Sequence, residues 1–502
     1  MNVLLGLLLA ACVTRLWLMP LRSSFWLDEL VTSFVVKYPA HPSFVIAPQV
    51  PESLYYWLPR AMQALFGFSE VAYRLPSVIA MGIALFLVAR IAARLIHTQA
   101  AWFAVFACFA IGGFDYFADD ARPYALGMIV AAAGIYFLIR WFDDARWTDA
   151  MLFLLFAALL WRVQLIYWPF YIVYAGYAVV RLRSHDTRVR VLPALMIATL
   201  LLGSLIPVFR TALPILRGAA THVIAPAPSL HTFEHALHWN LVLICGFGAW
   251  LLQYVEQALS PVHSDQKRHV FLITAWWLCT PICLFLYSRL TAQSVFLPRY
   301  LSLMLPGAAL CATAAAGLYI PPDRWKQAAA ILGLGALVWM GRWNHIWPSH
   351  DGSDWRSAAL EENRLAKNPA TPVLCMSPFI ESAGRGWSPQ YALPGFLYAH
   401  LSIYPILGAP YLLPMQTSLA AQQYAAQLTS GKLVEAGRFL LYGQSWQVKY
   451  WDRWFRQRAE LAGWGSAVEE YGDVAVGIFT RQNPIPGRGL QAGAYKFPPD
   501  PG

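Results

Sequence analysis

The sequence predicts a polytopic α-helical membrane protein: residues 1–348 cross the bilayer about eleven times, and residues 349–485 form a soluble α/β domain. Three observations predict it. Of the 502 residues 58% are hydrophobic and only 13% charged, too little charge to solvate a soluble protein of this size. Mostly apolar stretches of roughly 20 residues, the length of a spanning helix, recur up to residue 348 and then stop. Charge divides at the same place: residues 1–349 carry 24 Lys and Arg against 15 Asp and Glu, and residues 350–502 carry 13 against 12. The basic excess therefore belongs to the apolar part, where it marks cytoplasmic loops; no basic stripe with interleaved aromatics points to nucleic acid.

The expected spans centre near residues 10, 86, 108, 133, 155, 174, 200, 249, 279, 310 and 336. An odd number puts the termini on opposite sides. With the N-terminus inside, the inner loops hold Arg90, Arg94, Arg140, Arg146, Arg181, Arg183, Arg188, Arg190, Lys267, Arg268, Arg324 and Lys326, and the short outer loops only Arg122, Arg162, Arg210, Arg217, Arg289 and Arg299. That two-to-one bias sets the orientation and makes the C-terminal domain extracytoplasmic, as in a cell inner membrane. Arg15, toward the outer end of the first span, is an exception. Residues 20–75, too amphipathic to span and rich in aromatics and prolines, read as an outer loop of short helices lying in the interface.

In the tail, residues 355–367 and 450–462 have helical patterns, and residues 372–376, 438–442 and 473–480 read as strands. Residues 486–502, rich in Pro and Gly, read as a disordered end. Six of the seven cysteines lie in apolar runs, leaving Cys375 alone in the tail, so no disulfide framework is implied.

Four clusters can carry chemistry. Asp28 and Glu29 follow the first span in Ser24-Phe25-Trp26-Leu27-Asp28-Glu29-Leu30, where carboxylates at the bilayer surface are costly unless paired or used. The bland reading is a helix cap, since acids favour the first helical turn. Asp119 and Asp120 form a second outer pair, with Arg122 two residues on, either a catalytic pair beside an anion-binding fork or a salt-bridged turn with Pro123 opening the next helix. Arg299 and Tyr300, in Leu297-Pro298-Arg299-Tyr300, meet lipid headgroups or a substrate phosphate. His231, Glu234, His235 and His238 have helical spacings compatible with a divalent metal, the one cofactor the sequence raises, or with an ordinary interfacial turn. Sugar transfer from a lipid phosphate needs a carboxylate to take the acceptor proton and cations to stabilise the departing phosphate. Outer acids and arginines supply both. A transporter or flippase of a lipid-linked glycan is the alternative, although no internal repeat with midplane charges is visible.

These pieces, in this order, resemble the GT-C superfamily and within it glycosyltransferase family 39, which includes the protein O-mannosyltransferases and the lipid A aminoarabinose transferase. The resemblance is carried by Trp26-Leu27-Asp28-Glu29; by Leu54-Tyr55-Tyr56-Trp57-Leu58, followed by Arg74-Leu75-Pro76-Ser77; by Ala121-Arg122-Pro123-Tyr124; by Pro298-Arg299-Tyr300; and by Asp354-Trp355-Arg356. Val50-Pro51-Glu52-Ser53-Leu54 stands where the family commonly has His-Pro-Pro-Leu. The resemblance implies a membrane enzyme taking a sugar from a polyprenyl-phosphate-sugar donor to a lipid, glycan or protein acceptor. It implies Asp28 as base, supported by Asp119 and Asp120, and Arg122 and Arg299 as phosphate contacts, with Tyr55, Tyr56, Tyr124 and Tyr300 in the same motifs as substrate contacts. Adjacent side chains diverge around a helix, so only one of Asp28 and Glu29 faces the acceptor. Asp28 is preferred, and Glu29→Gln is expected to cost much less than Asp28→Asn.

Overall fold

The computed structural model describes residues 1–47, 50, 53–218, 226–256, 267–291, 294–383 and 386–481. The expected disordered end, residues 486–502, lies outside them. The chain divides into two compact units, one of residues 1–353 with 394–403 and one of residues 354–393 with 404–502. Residues 394–403 thus return to the first unit from inside the stretch that the sequence assigned to the α/β domain. The reason is aromatic packing: Phe396 lies 5.7 Å from Phe44 and 6.3 Å from Phe34 between ring centroids, and its backbone N–H donates to Ser43 Oγ.

The first unit is helical. Its helices are α1 (Asn2–Cys12), α2 (Leu27–Lys37), α3 (Trp57–Phe66), α4 (Glu70–Leu95), α5 (Ala101–Phe109), α6 (Tyr124–Asp144) and α7 (Trp147–Val163), then α8 (Phe170–Arg183), α9 (Val191–Gly218), α10 (Leu230–Ala236), α11 (Trp239–Glu256), α12 (Lys267–Leu290), α13 (Leu305–Gly317) and α14 (Trp325–Met340). All eleven expected span centres fall on helices, yet among the described residues 7 helical stretches are long and apolar enough to cross a membrane by themselves: Asn2–Arg22, Glu70–Leu95, Tyr124–Asp144, Leu165–Arg183, Val191–Leu213, His269–Leu290 and Pro298–Gly317. The remaining expected centres fall on shorter helices, so the polytopic helical fold is built from helices of unequal length. The shortfall is clearest in α5, whose 9 residues reach only about 13 Å at 1.5 Å per residue, under half the hydrocarbon thickness. Gly112 and Gly113 follow it, Gly113 with φ +93°, and the chain stays irregular up to Pro123. That irregular stretch carries Asp115, Asp119, Asp120 and Arg122.

Close helix approach depends on small residues, as expected where lipid gives no hydrophobic drive between helices. Gly127 and Gly134, two turns apart on α6, receive Tyr167 and Tyr174; a Cβ at either would sit within 2.4 Å of the facing ring or its hydroxyl. Gly333 of α14 does the same for Leu8 of α1 and Phe106 of α5.

Arg15 explains its own exception to the charge bias. Its guanidinium is almost wholly buried and donates to four carbonyls just past α14: Nε to Gly341 at 2.6 Å, Nη2 to Arg342 at 2.9 Å and His345 at 2.6 Å, and Nη1 to Ile346 at 2.7 Å. The last carbonyls of a helix have no partners of their own, and a cation there also meets the negative end of the helix dipole. Arg15 is a helix cap supplied from the other end of the unit's sequence.

The second unit is built on a five-stranded mixed sheet in the order β2-β1-β3-β5-β4, with β1 Pro372–Met376, β2 Ala409–Leu413, β3 Arg438–Gln444, β4 Trp464–Tyr471 and β5 Val474–Arg481. β1 is parallel to β2 and β3, and β5 runs antiparallel to both β3 and β4. Every residue of β1 is buried, as a central parallel strand requires. Trp451 and Phe455 from helix Ser445–Arg456, with Ala421 and Ala425 from helix Leu419–Leu428, pack with Phe439 and Phe479 into its core. The expected soluble α/β domain is present. β2 and β4 were not legible in the sequence.

Candidate active site

α2 begins immediately after Trp26, whose extended backbone ends the preceding segment and whose N–H donates to Glu29 Oε2 at 3.3 Å. Asp28 and Glu29 thus occupy the first turn, where the helix dipole favours negative charge. They diverge, as neighbours on a helix do. Glu29 is fully buried against the equally buried Arg74 of α4: Arg74 Nε donates to Glu29 Oε1 at 2.7 Å, Nη2 pairs with Oε2, and the Ala121 N–H donates to Oε1 at 2.7 Å. Arg74 also donates to the carbonyls of Leu21 at 3.1 Å, Ser23 at 2.8 Å and Ser24 at 3.0 Å. Both partners are therefore committed to structure.

The irregular segment after α5 is stitched to α2. Trp26 Nε1 donates to Asp120 Oδ1 at 3.0 Å, Thr32 Oγ1 to the Ala121 carbonyl at 2.8 Å, and Ser77 Oγ of α4 to the Asp120 carbonyl at 2.6 Å. Arg122 Nη1 returns to α2, donating to the Asp28 carbonyl at 3.2 Å and to Thr32 Oγ1 at 3.4 Å. Asp28 and Arg122 are thereby held in fixed register.

The Asp28 side chain, 17% exposed, pairs with Arg299 through Oδ2 and Nη1 at 3.3 Å, and the Arg299 guanidinium lies over the Tyr300 ring at 5.5 Å. Arg299 opens the tight turn Pro298–Met304 that leads into α13. Tyr55 and Tyr56 are buried in the turn Leu54–Tyr56, 5.9 Å apart; burial pushes the Tyr56 hydroxyl up, against the opposing pull of Arg122 beside it. Tyr124, at the start of α6, has Arg122, Asp28, Arg299 and Tyr300 as electrostatic neighbours. Among the described residues, neither the Tyr124 hydroxyl nor Arg122 Nε has a hydrogen-bond partner. Unfilled buried donors of this kind are worth about 1–3 kcal/mol each to whatever ligand satisfies them.

Asp119 and Asp120 lie behind this cluster with His350. His350 Nδ1 is 2.9 Å from Asp119 Oδ1, and Nε2 is 3.7 Å from Asp120 Oδ1. All three are buried. Burial pushes Asp119 up to about 8, opposed by Arg74 and Arg342, and pushes Asp115 up to about 6 with help from Asp119. Burial followed by the charge of Glu29 raises Asp120 well above the carboxylate range, and burial holds His350 down to about 3. At neutral pH the Asp119–His350 contact is therefore a neutral pair rather than a salt bridge.

Glu29, Asp120 and His350 have ligand atoms within 4.8 Å of one another. They do not fit a divalent metal. Both oxygens of Glu29 are taken by a guanidinium and backbone N–H groups, and a cation entering the trio would face the fixed charge of Arg74. Of the two readings open for the histidine cluster, the arrangement is that of the ordinary turn. His231, Glu234 and His235 are exposed on the short helix Leu230–Ala236, the two imidazoles 6.4 Å apart, and His238 lies past its end with φ 52°. Among the described residues these side chains form no group of three metal ligands, because the helix ends before His238 completes the face.

The structure therefore brings Asp28, Arg122, Arg299, Tyr300, Tyr56 and Tyr124 together, sets Asp119 and Asp120 behind them, and removes Glu29 into a buried ion pair. Sequence reasoning quoted Arg74 and Trp26 only as parts of family-like motifs, with no role of their own, and did not single out His350. A lone arginine inside the otherwise apolar turns of α4 was the available signal for the first. Pro51 and Glu52, where the chain departs from the family's usual run, lie outside the described residues.

The chain combines a helical unit rich in membrane-length helices with an α/β unit, and carries an acid in the first turn of α2 and Arg122-Pro123-Tyr124 at the start of α6. Residues 50–209 match the profile of the dolichyl-phosphate-mannose-protein mannosyltransferase family. The fold aligns with ArnT from Cupriavidus metallidurans in the apo state at a TM-score of 0.55 and 12% identity, over 94% of this chain and 97% of that one. It aligns with the same protein bound to undecaprenyl phosphate at 0.54 and 11%, over 96% and 99%. No curated protein matches the chain in sequence. The protein is a multi-pass membrane protein with the fold of ArnT, and residues 50–209 carry the mannosyltransferase-family profile.

Proposed function

We propose that the protein is an integral membrane glycosyltransferase that moves a sugar from a polyprenyl-phosphate-sugar donor to an acceptor on the outer face of the cytoplasmic membrane, with inversion and with Asp28 as base. The observation that carries the reading is the convergence of Arg299 and Arg122 on Asp28, with the unfilled Arg122 Nε and Tyr124 hydroxyl beside them. One carboxylate between two guanidinium groups supplies the two things transfer needs. Asp28 takes the proton of an acceptor hydroxyl as its oxygen bonds to the anomeric carbon. The bond from that carbon to the phosphate oxygen breaks on the opposite face, and the polyprenyl phosphate leaves with its charge met by Arg122 and Arg299. Before donor binding the same arginines hold Asp28 in place. The match to a mannosyltransferase family and the likeness to a fold seen with undecaprenyl phosphate support this donor class. A transporter would place its charged groups at midplane, whereas Asp28, Arg122 and Arg299 flank the spans or stand at an end of one.

Two experiments test it. Arg122→Lys and Arg299→Lys replace a fork with a point charge, and each is expected to raise the donor KM by about 10- to 100-fold, the range for losing charge-assisted hydrogen bonds. Unchanged kinetics in both variants would make these residues headgroup anchors. A phosphatase fused after Ser349 is expected to be active, because the reading requires the loops bearing Asp28 and Arg122 to be extracytoplasmic. An inactive phosphatase with an active cytoplasmic reporter at that position would put the site on the wrong face.

A further inference from the structure

The crossover between β1 and β2 does not stay with its sheet. Residues 394–403, from its second half, pack into the helical unit as the turn Phe396–Tyr398 and the short helix Ala399–Ile403. Connections usually run over the surface, because buried backbone needs partners. Here every residue from Gly395 to His400 is buried, while Ala392, Leu393 and Pro394 just before them are exposed. Such a segment is a built contact and not slack chain.

What it meets is the second half of α2, the helix whose first turn carries Asp28. Phe34 of α2, Phe44 and Phe396 form a triangle of rings with centroids 5.6, 5.7 and 6.3 Å apart. Both contacts of Phe34 are edge-on, at 73° to Phe44 and 65° to Phe396, the arrangement that aromatic quadrupoles favour. At the last turn of α2, Lys37 Nζ donates to the Ser402 carbonyl at 2.9 Å. At the other end of the segment the Phe396 N–H donates to Ser43 Oγ at 3.0 Å, and that hydroxyl lies 2.8 Å from His41 Nδ1.

α2 has 11 residues, too few to hold a helix in isolation, so its place is set by what it packs against. Its first turns are held through the Asp28 carbonyl and Thr32 by the segment after α5, and its last turns by residues 394–403. Phe34 stands about 9 Å along a stiff rod from Asp28, at 1.5 Å per residue. A shift at one end therefore tilts the other. A general base must come within hydrogen-bond reach of its proton, and a misplacement of about 1 Å from a change far from the chemistry can cost about 100-fold.

We propose that residues 394–403 are a positioning strap for the catalytic helix: they clamp Phe34 and Lys37 of α2 and so fix where the Asp28 carboxylate stands. Phe396 is its positioning residue, acting through α2 and not on substrate. The inference rests on the transferase reading and deepens it, because presentation of the base then depends on a segment supplied from between two adjacent strands of the α/β sheet. The phosphate contacts Arg122 and Arg299 stand on other elements, outside α2.

The test uses the full-length protein in nanodiscs, with transfer from a panel of polyprenyl-phosphate sugars and hydrogen exchange of the α2 amides. Phe396→Ala should lower kcat by about 10- to 100-fold with the donor KM unmoved. Phe396→Leu, which refills most of the apolar volume, should restore most of the turnover. The amides of Leu30 to Val36 should exchange faster in Phe396→Ala, and those of β1 should not. A merely structural role would lower Tm and yield but leave kcat per folded molecule unchanged. If Phe396→Ala does not fold, Ser43→Ala carries the test: it removes the acceptor of the Phe396 N–H, leaves the rings in place, and should lower kcat by about 2- to 10-fold, the worth of one hydrogen bond. Wild-type kcat in the folded variants, a loss carried by the donor KM instead, or unchanged exchange in α2 overturns the strap. If none of the sugars is a donor for the wild type but α2 exchange rises in Phe396→Ala, the transferase reading fails and the strap stands; if transfer occurs and the variants match the wild type in kcat and exchange, the strap fails alone.

Discussion

Asp28→Asn is expected to reduce transfer by about 10²- to 10⁴-fold while leaving binding of the lipid donor largely intact. Asparagine preserves the shape of the first turn of α2 and still accepts from Arg299, but it cannot take a proton. A carboxylate that also faces an oxocarbenium-like transition state puts the loss toward the upper end of that range. The arginine contacts strengthen the expectation of intact binding. Arg122 reaches the Asp28 main chain, not its side chain, so the substitution leaves that guanidinium where it is. Purified protein assayed separately for transfer and for donor binding decides the matter; wild-type turnover in Asp28→Asn would exclude the mechanism, whatever the acceptor.

The second large effect concerns Glu29, and it falls on stability, which the expectation from sequence did not address. Glu29→Gln seemed the milder change because only one of two adjacent acids can face a substrate. Glu29 is in fact the buried partner of Arg74, and removing one member of such a pair typically costs about 3–5 kcal/mol because the other charge is left buried. Against a total stability of about 5–15 kcal/mol, Glu29→Gln should lower Tm sharply and reduce the yield of folded protein. Arg74→Leu should do the same, and the double variant Glu29→Leu with Arg74→Leu should recover part of the loss. Thermal unfolding of the wild type, Glu29→Leu, Arg74→Leu and the double variant forms a double-mutant cycle. A Glu29→Gln protein that unfolds like the wild type would contradict the assignment of Glu29 to structure.

The comparison shows which information a sequence carries locally and which it does not. Span centres were legible because twenty apolar residues need no partner to be recognised, and β1, β3 and β5 because each is apolar and flanked by breakers. The candidate residues stood out in the sequence by type and by their place next to the apolar runs. Their division of labour was not. Asp28 and Glu29 look alike in sequence and are separated only by what α4 and the segment after α5 bring to them. Arg74 lies 45 positions from Glu29 and Trp26 lies 94 from Asp120. α5 is shorter than the apolar run that marks it in the sequence, because that run continues through Ile111-Gly112-Gly113-Phe114 beyond the helix's end at Phe109. Edge strand β4 was missed because its outward positions are polar, with Glu469 and Glu470 adjacent.

The cap on α14 has a temporal side. Arg15 leaves the ribosome long before its carbonyl partners, which lie 326 to 331 positions later. At about 5–20 residues per second those partners are made roughly 15–65 s after the arginine. For that interval the first helix holds a cation near the lipid boundary with nothing of its own chain to satisfy it, so it must remain hydrated or attended by the insertion machinery until the bundle closes. Chains cut short before residue 341 would never supply the partners, and the exposed guanidinium would give quality control a chemical mark for distinguishing an unfinished protein from a finished one.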